Sequence, residues 1–147
     1  MWLLTTLIYV TTIVITTVIG DQITIANPLP YSVIVASRPF NITLELEVSG
    51  GLHTPKIQLD ILTKDGKELY TKIHQFTGPE LLEKPGNVEW AFPIESPEEH
   101  YTIRASGDAE YTSESQVVKV HMERQIRVFV QRPLSKPSYK LNLKRSR

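Results

Sequence analysis

Phe40-Asn41-Ile42-Thr43-Leu44-Glu45-Leu46-Glu47-Val48 alternates apolar and polar side chains without interruption. Phe40, Ile42, Leu44, Leu46 and Val48 fall on one side, and Asn41, Thr43, Glu45 and Glu47 on the other. A helix would scatter these apolar groups around its axis. An extended chain puts them on one face, so the period of two predicts a half-buried strand. Gly50-Gly51 ends it.

The same pattern recurs in both directions. Gln22 to Ala26 is a short strand stopped by Asn27-Pro28 and Pro30, and Ser32 to Ala36 is an edge piece. Lys56 to Lys64 sets Ile57, Leu59 and Ile61 against Lys56, Gln58 and Asp60, and Lys67 to Phe76 resumes with Leu69, Thr71 and Ile73. Asp65-Gly66 between them predicts a tight hairpin whose two central residues take positive φ. Gly78 to Gly86 is a loop with room for one helical turn around Leu81 and Leu82. Asn87 to Phe92 points Val88, Trp90 and Phe92 inward, with Trp90 as the core aromatic, and closes at Pro93. Glu98 to Ser106 aligns Tyr101, Ile103 and Ala105 and turns at Gly107-Asp108. Ser115 to Met122 and Gln125 to Arg132 are two further strands. Short strands about ten residues apart, with no amphipathic helix, predict an all-β, immunoglobulin-like antiparallel β-sandwich of about seven strands.

Three regions divide the 147 residues. Met1 to Gly20 has no charge and is apolar or threonine-rich, as in a secretory signal peptide cleaved near Gly20-Asp21. An uncleaved membrane anchor is the other reading. Residues 21–131 form the sandwich, and 132–147 a basic tail or interrupted linker. Both N-terminal readings deliver the domain outside the cell, where Asn41-Ile42-Thr43 is a usable glycosylation sequon with Asn41 on the solvent face. The net charge of zero hides an asymmetry. From Lys119 onward nine basic residues face one acid, Glu123, so a charge of +8 there balances −8 in the first 118 residues. Such a terminus fits a solvated tail or contact with a polyanion; no nucleic-acid-binding motif accompanies it.

Candidate chemistry is sparse. With no cysteine there is no disulfide, thiolate metal site or cysteine nucleophile. His53, His74, His100 and His121 lie on different elements, without metal-ligand spacing. No nucleophile-elbow motif or Ser/His/Asp set is present, and the glycines are too scattered for a phosphate loop. Glu95, Glu98 and Glu99, and Asp108 and Glu110, fall in inter-strand loops but match no calcium loop. The sequence therefore predicts a protein that is not an enzyme, with no catalytic residue, metal or cofactor.

With the strands placed, the stretch from Val88 to Gln131 resembles the end of the first macroglobulin domain of the thioester-containing superfamily, which includes alpha-2-macroglobulins and complement factors. The features are the strand Val88-Glu89-Trp90-Ala91-Phe92-Pro93, the series Tyr101, Ile103, Ala105 and Gly107, and the element Val128-Phe129-Val130-Gln131. After Arg132 the resemblance fades: Tyr139-Lys140 survives, but the family's Thr-Asp-Lys and Pro-Gly do not. The resemblance implies a seven-stranded macroglobulin-type scaffold of innate-immune or protease-inhibitor lineage. It would be a secreted glycoprotein acting through contacts with other macroglobulin domains or proteases. The family's Gly-Cys-Gly-Glu-Gln thioester segment is absent. A second resemblance, through the Ile23-Thr24-Ile25 strand and Trp90-Ala91-Phe92-Pro93, is to the immunoglobulin-like modules of fungal glucan-assembly proteins. It implies a cell-wall or matrix binding module.

Overall fold

The computed structural model describes residues 22–47, 52–63, 65–113 and 116–134. The chain is all-β, with eight strands and one short helix among the described residues. The strands are β1 (Gln22–Asn27), β2 (Val33–Val35), β3 (Phe40–Glu47), β4 (Leu52–Leu62), β5 (Leu69–Thr77), β6 (Gly86–Trp90), β7 (His100–Ser113) and β8 (Gln116–Gln131). Helix α1 (Gly78–Glu83) lies between β5 and β6. Two sheets form, one of order β1-β3-β6 and one of order β2-β8-β7-β4-β5. All pairings are antiparallel except that of β2 with β8. The expected N-terminal segment, Val48 with Gly50-Gly51, and the tail beyond Leu134 lie outside the described residues.

The sheets face each other over one apolar core. The quoted stretch supplies Ile42, Leu44 and Leu46 from the small sheet; Ile57, Leu59, Ile61, Tyr101, Ile103, Ile126, Val128 and Val130 come from the large one. Each of these is less than a tenth exposed. Without disulfides, this burial is the main stabilising contribution, on the order of 1.5–3 kcal/mol for each fully buried aliphatic side chain. Phe92 and Tyr101 are the fully buried aromatics among the described residues. Trp90, read as the core aromatic, is half-buried and packs edge-on against Phe92 at 4.5 Å. Phe40 and Val88 likewise flank the core.

The first strand changes sheets. The β1–β3 register slips between Ile25 and Asn27, leaving Ala26 as an extra residue. A bulge of this kind bends a strand out of its plane. Past the cis Asn27-Pro28 bond the chain reaches the large sheet, where Val33, Ile34 and Val35 pair with Phe129, Val130 and Gln131.

Four local expectations give way to the structure. The Asp65-Gly66 hairpin exists, but Leu62 pairs with Leu69, so residues 63–68 make a six-residue connection, not a two-residue turn. Gly66, at φ 65°, donates its N–H to the Thr63 carbonyl. Strand β5 does not keep one face: the register skips Ile73 and then Tyr70. Each extra residue reverses the side chains beyond it, so Leu69 is exposed while Tyr70 lies 5.2 Å from Tyr101. Gly107-Asp108 is no turn, for β7 runs through it to Ser113. The two final strands are one, because β8 continues through Glu123 and Arg124 in constant register with β7.

Gly107 is needed for close approach. It sits opposite Ile57, and a Cβ there would lie 2.3 Å from the Lys56 carbonyl oxygen. Strand β4 also begins earlier than expected, at Leu52, passing Pro55 at a register shift between His53 and Lys56 where proline's missing N–H is tolerated.

Candidate functional site

The crossing between β1 and β2 carries the most unusual surface. Pro28-Leu29-Pro30-Tyr31-Ser32 is held tightly: the Ser32 hydroxyl donates to the Leu29 carbonyl at 2.6 Å, and the Tyr31 N–H donates to the Arg127 carbonyl at 2.6 Å. Tyr31 takes φ 64°, left-handed backbone that a bulky L-residue adopts at a cost of about 1–2 kcal/mol. Its ring nevertheless gains little burial, being 71% exposed, and Leu29 and Val33 are 68% and 60% exposed beside it. Tyr31 also borders a shallow cleft of about 260 Å³ with Thr102, Gln125, Ile126 and Arg127. Three exposed apolar side chains on a pinned turn, one of them strained, do not improve the fold. They can bury apolar area against another surface.

The outer face of the β7–β8 ribbon is a ladder of charge. Asp108 lies opposite His121 and Glu110 opposite Lys119. His121 Nδ1 is 2.7 Å from Asp108, its Nε2 is 3.7 Å from Glu123, and Lys119 is 3.0 Å from Glu110. The hydrogen bond to Asp108, with smaller help from Glu123, holds the His121 imidazole above its ordinary pKa; the Glu110 hydrogen bond raises Lys119. These groups stand in solvent, and their pairing orders the ribbon only weakly. Asp108 and Glu110, expected in a loop, are therefore strand residues with cross-strand partners. Farther across this face Arg104 binds the buried Asp60 at 2.8 Å, leaving Asp60 Oδ1 and Arg104 Nε without hydrogen-bond partners among the described residues.

A second cleft, of about 350 Å³, opens where α1 meets β5 and β6, lined by His74, Phe76, Glu80, Lys84, Pro85, Gly86 and Asn87. Its carboxylate is already engaged: Glu80 accepts the Thr77 N–H at 3.0 Å as a helix cap, which holds its pKa below the ordinary value. Of the other carboxylates, Glu98 accepts the Arg132 N–H at 2.8 Å and Glu95 is exposed. His53, His74, His100 and His121 lie on β4, β5, β7 and β8. No group of three or more acidic or histidine residues that could hold a metal occurs among the described residues.

Asn41 is exposed on the outer face of the small sheet, opposite Glu89, while its carbonyl accepts a hydrogen bond from the Asn27 side chain. Tyr101, at the start of β7, donates its hydroxyl to the Pro97 carbonyl at 3.4 Å, and burial, aided by Glu99 and Tyr70, pushes its pKa up to about 12. The sequence reading missed Leu29, Tyr31 and Val33. Pro28 and Pro30 marked a turn, but nothing local says which way its side chains face. No protein-family model matches the chain, and no curated protein matches it.

Proposed function

We propose that the chain is a secreted, non-catalytic β-sandwich module of immunoglobulin-like, macroglobulin type that acts through protein contacts. The observation that carries this reading is the strained, exposed Tyr31 between exposed Leu29 and Val33. The immunoglobulin-like type has two supports. A first strand divided between the sheets, with the long β7–β8 hairpin central in the larger one, fits that architecture. So does the Tyr101 hydroxyl reaching back to the Pro97 carbonyl, as tyrosine does at the corresponding corner of such domains. The macroglobulin lineage rests on the sequence resemblance between Val88 and Gln131. A polysaccharide platform has less support, since Tyr31 and Tyr70 lie at opposite edges of the large sheet and cannot present one stacking surface.

The test is site-specific photo-crosslinking of the secreted protein. A photoreactive residue at Leu29 should give a discrete protein adduct that a Tyr31→Gly change abolishes, while the same residue at Glu45, on the outer face of the other sheet, gives none. Tyr31→Gly should also raise stability by about 1 kcal/mol, because glycine adopts positive φ without strain. Equal labelling at both positions would remove the contact reading. Retention of the protein inside the cell would remove secretion.

A further inference from the structure

We infer that two copies of this chain pair edge to edge through β8, antiparallel about a two-fold axis at His121, joining their large sheets into one.

The hydrogen bonds of β8 show which backbone groups point where. Val130 donates its N–H to Glu99, toward β7, whereas Phe129 donates to Ser32 and Arg127 accepts from Tyr31, on the opposite edge. The β7–β8 register is constant from His100↔Phe129 to Ser113↔Gln116. The same alternation therefore holds along the whole strand. Val117, Lys119, His121, Glu123 and Gln125 direct both N–H and C=O away from β7. Strand β2 covers that edge only from Phe129 to Gln131, and Tyr31 reaches Arg127. Among the described residues no strand pairs with it from Val117 to Gln125. Val117, Lys119, Val120, His121, Glu123, Arg124 and Gln125 are all exposed.

The ends of this stretch choose the register. The β7–β8 turn bounds it before Val117, and the Tyr31–Arg127 bond bounds it after Gln125. The centre is His121, and the antiparallel register of greatest overlap sets Val117 opposite Gln125, Lys119 opposite Glu123 and His121 opposite His121. All five outward-directed residues then become hydrogen-bonded pairs. Without further adjustment, Lys119 of each copy faces Glu123 of the other, and Val120 faces Met122. A lone lysine on an edge repels an arriving strand. A lysine and a glutamate placed symmetrically about the centre instead admit one particular strand, which is this one.

The experiment is sedimentation equilibrium on the protein expressed from its full coding sequence and purified as the cell delivers it, with amide exchange followed across concentration. A monomer–dimer equilibrium is expected, in which dimerisation slows exchange at Lys119, His121 and Glu123. The even-numbered neighbours, bonded to β7, should change little. Lys119→Glu and Glu123→Lys should each weaken the dimer about tenfold, since each change acts twice across the axis, and the double reversal should restore it. Lys119 also holds Glu110 of its own chain at 3.0 Å, so Glu110→Gln controls for that contact and should leave dimerisation within about twofold. A protein that stays monomeric at millimolar concentration overturns the inference. So does a dimer that ignores the charge reversals or leaves the odd-numbered amides exchanging as in the monomer. Loss of the Leu29 photo-adduct bears on the contact surface proposed above and leaves this edge pairing untouched.

Discussion

Replacing Gly107 by alanine tests the centre of the large sheet. The added Cβ would sit 2.3 Å from the Lys56 carbonyl oxygen and 2.7 Å from Ile57 Cδ1. The isoleucine tip can rotate, but the carbonyl belongs to a strand paired on both sides and cannot turn aside. Relief requires β4 to move from β7 by about an ångström around the fully buried Ile57. Overpacking of this kind costs about 1–3 kcal/mol. The glycine's lost unfolded-state freedom returns about 0.4–1 kcal/mol. A net loss of about 1–1.5 kcal/mol should follow, lowering Tm by roughly 4–8 °C. Urea unfolding should show the midpoint falling with the slope unchanged. Gly66→Ala is the contrast: its Cβ finds its nearest neighbours at 3.6 and 3.7 Å, and only the φ of 65° opposes it, for about 1 kcal/mol. A neutral Gly107→Ala beside a costly Gly66→Ala would refute the β4–β7 register and return Gly107-Asp108 to a turn.

Two further predictions follow from the buried tyrosine and the exposed histidine. Tyr101→Phe should cost about 1 kcal/mol in denaturant unfolding, because the Pro97 carbonyl loses its donor. Burial holds the Tyr101 phenol un-ionised to about pH 12 against an ordinary 10.0. Its contribution to stability is therefore complete below pH 10 and is lost as pH rises toward 12, which ultraviolet titration of the folded protein will follow. The raised His121 pKa acts in the same sense at lower pH: its contribution is complete below the ordinary 6.5 and disappears as pH rises through the higher folded-state value. Asp108→Asn should return the His121 titration, read by NMR, toward 6.5; an unchanged curve would show that Asp108 is not its partner.

The all-β class was legible because period-two alternation is a local property. Ile42, Leu44 and Leu46, or Ile57, Leu59 and Ile61, announce one buried face whatever they pack against. The helical turn around Leu81 and Leu82 was legible only as room within a loop, and the Glu80 carboxylate that caps it at the Thr77 N–H emerged from the structure. Chain breaks were harder, because glycine serves two purposes that look alike in sequence. Gly66 bends the chain, whereas Gly107 lets Lys56 approach, and the partner that distinguishes them lies about fifty residues away. Strand β5 failed for a related reason: the skips at Ile73 and Tyr70 are facts of pairing with β4, and alternation read along β5 alone cannot contain them.

The surface was less legible than the core for a physical reason that also directs attention to Tyr31. Apolar residues in a proline-rich turn carry no periodicity, so Leu29 and Tyr31 give no pattern that separates inward from outward, and Val33 opens a three-residue strand too short to show one. Their orientation is set by two backbone hydrogen bonds to β8, from the Tyr31 N–H to Arg127 and from the Phe129 N–H to Ser32. These bonds fasten the turn to β8, whose edge from Val117 to Gln125 has no strand partner among the described residues. The exposed apolar turn and the uncovered edge are thus consequences of one event, the transfer of the first strand from the small sheet to the large one after Asn27. Had β1 continued along β3, Tyr31 would have no reason to be left-handed. Had β2 been longer at its start, it would have covered Gln125 and the residues before it. A surface made by the incompleteness of a strand transfer is visible only when both sheets are seen together.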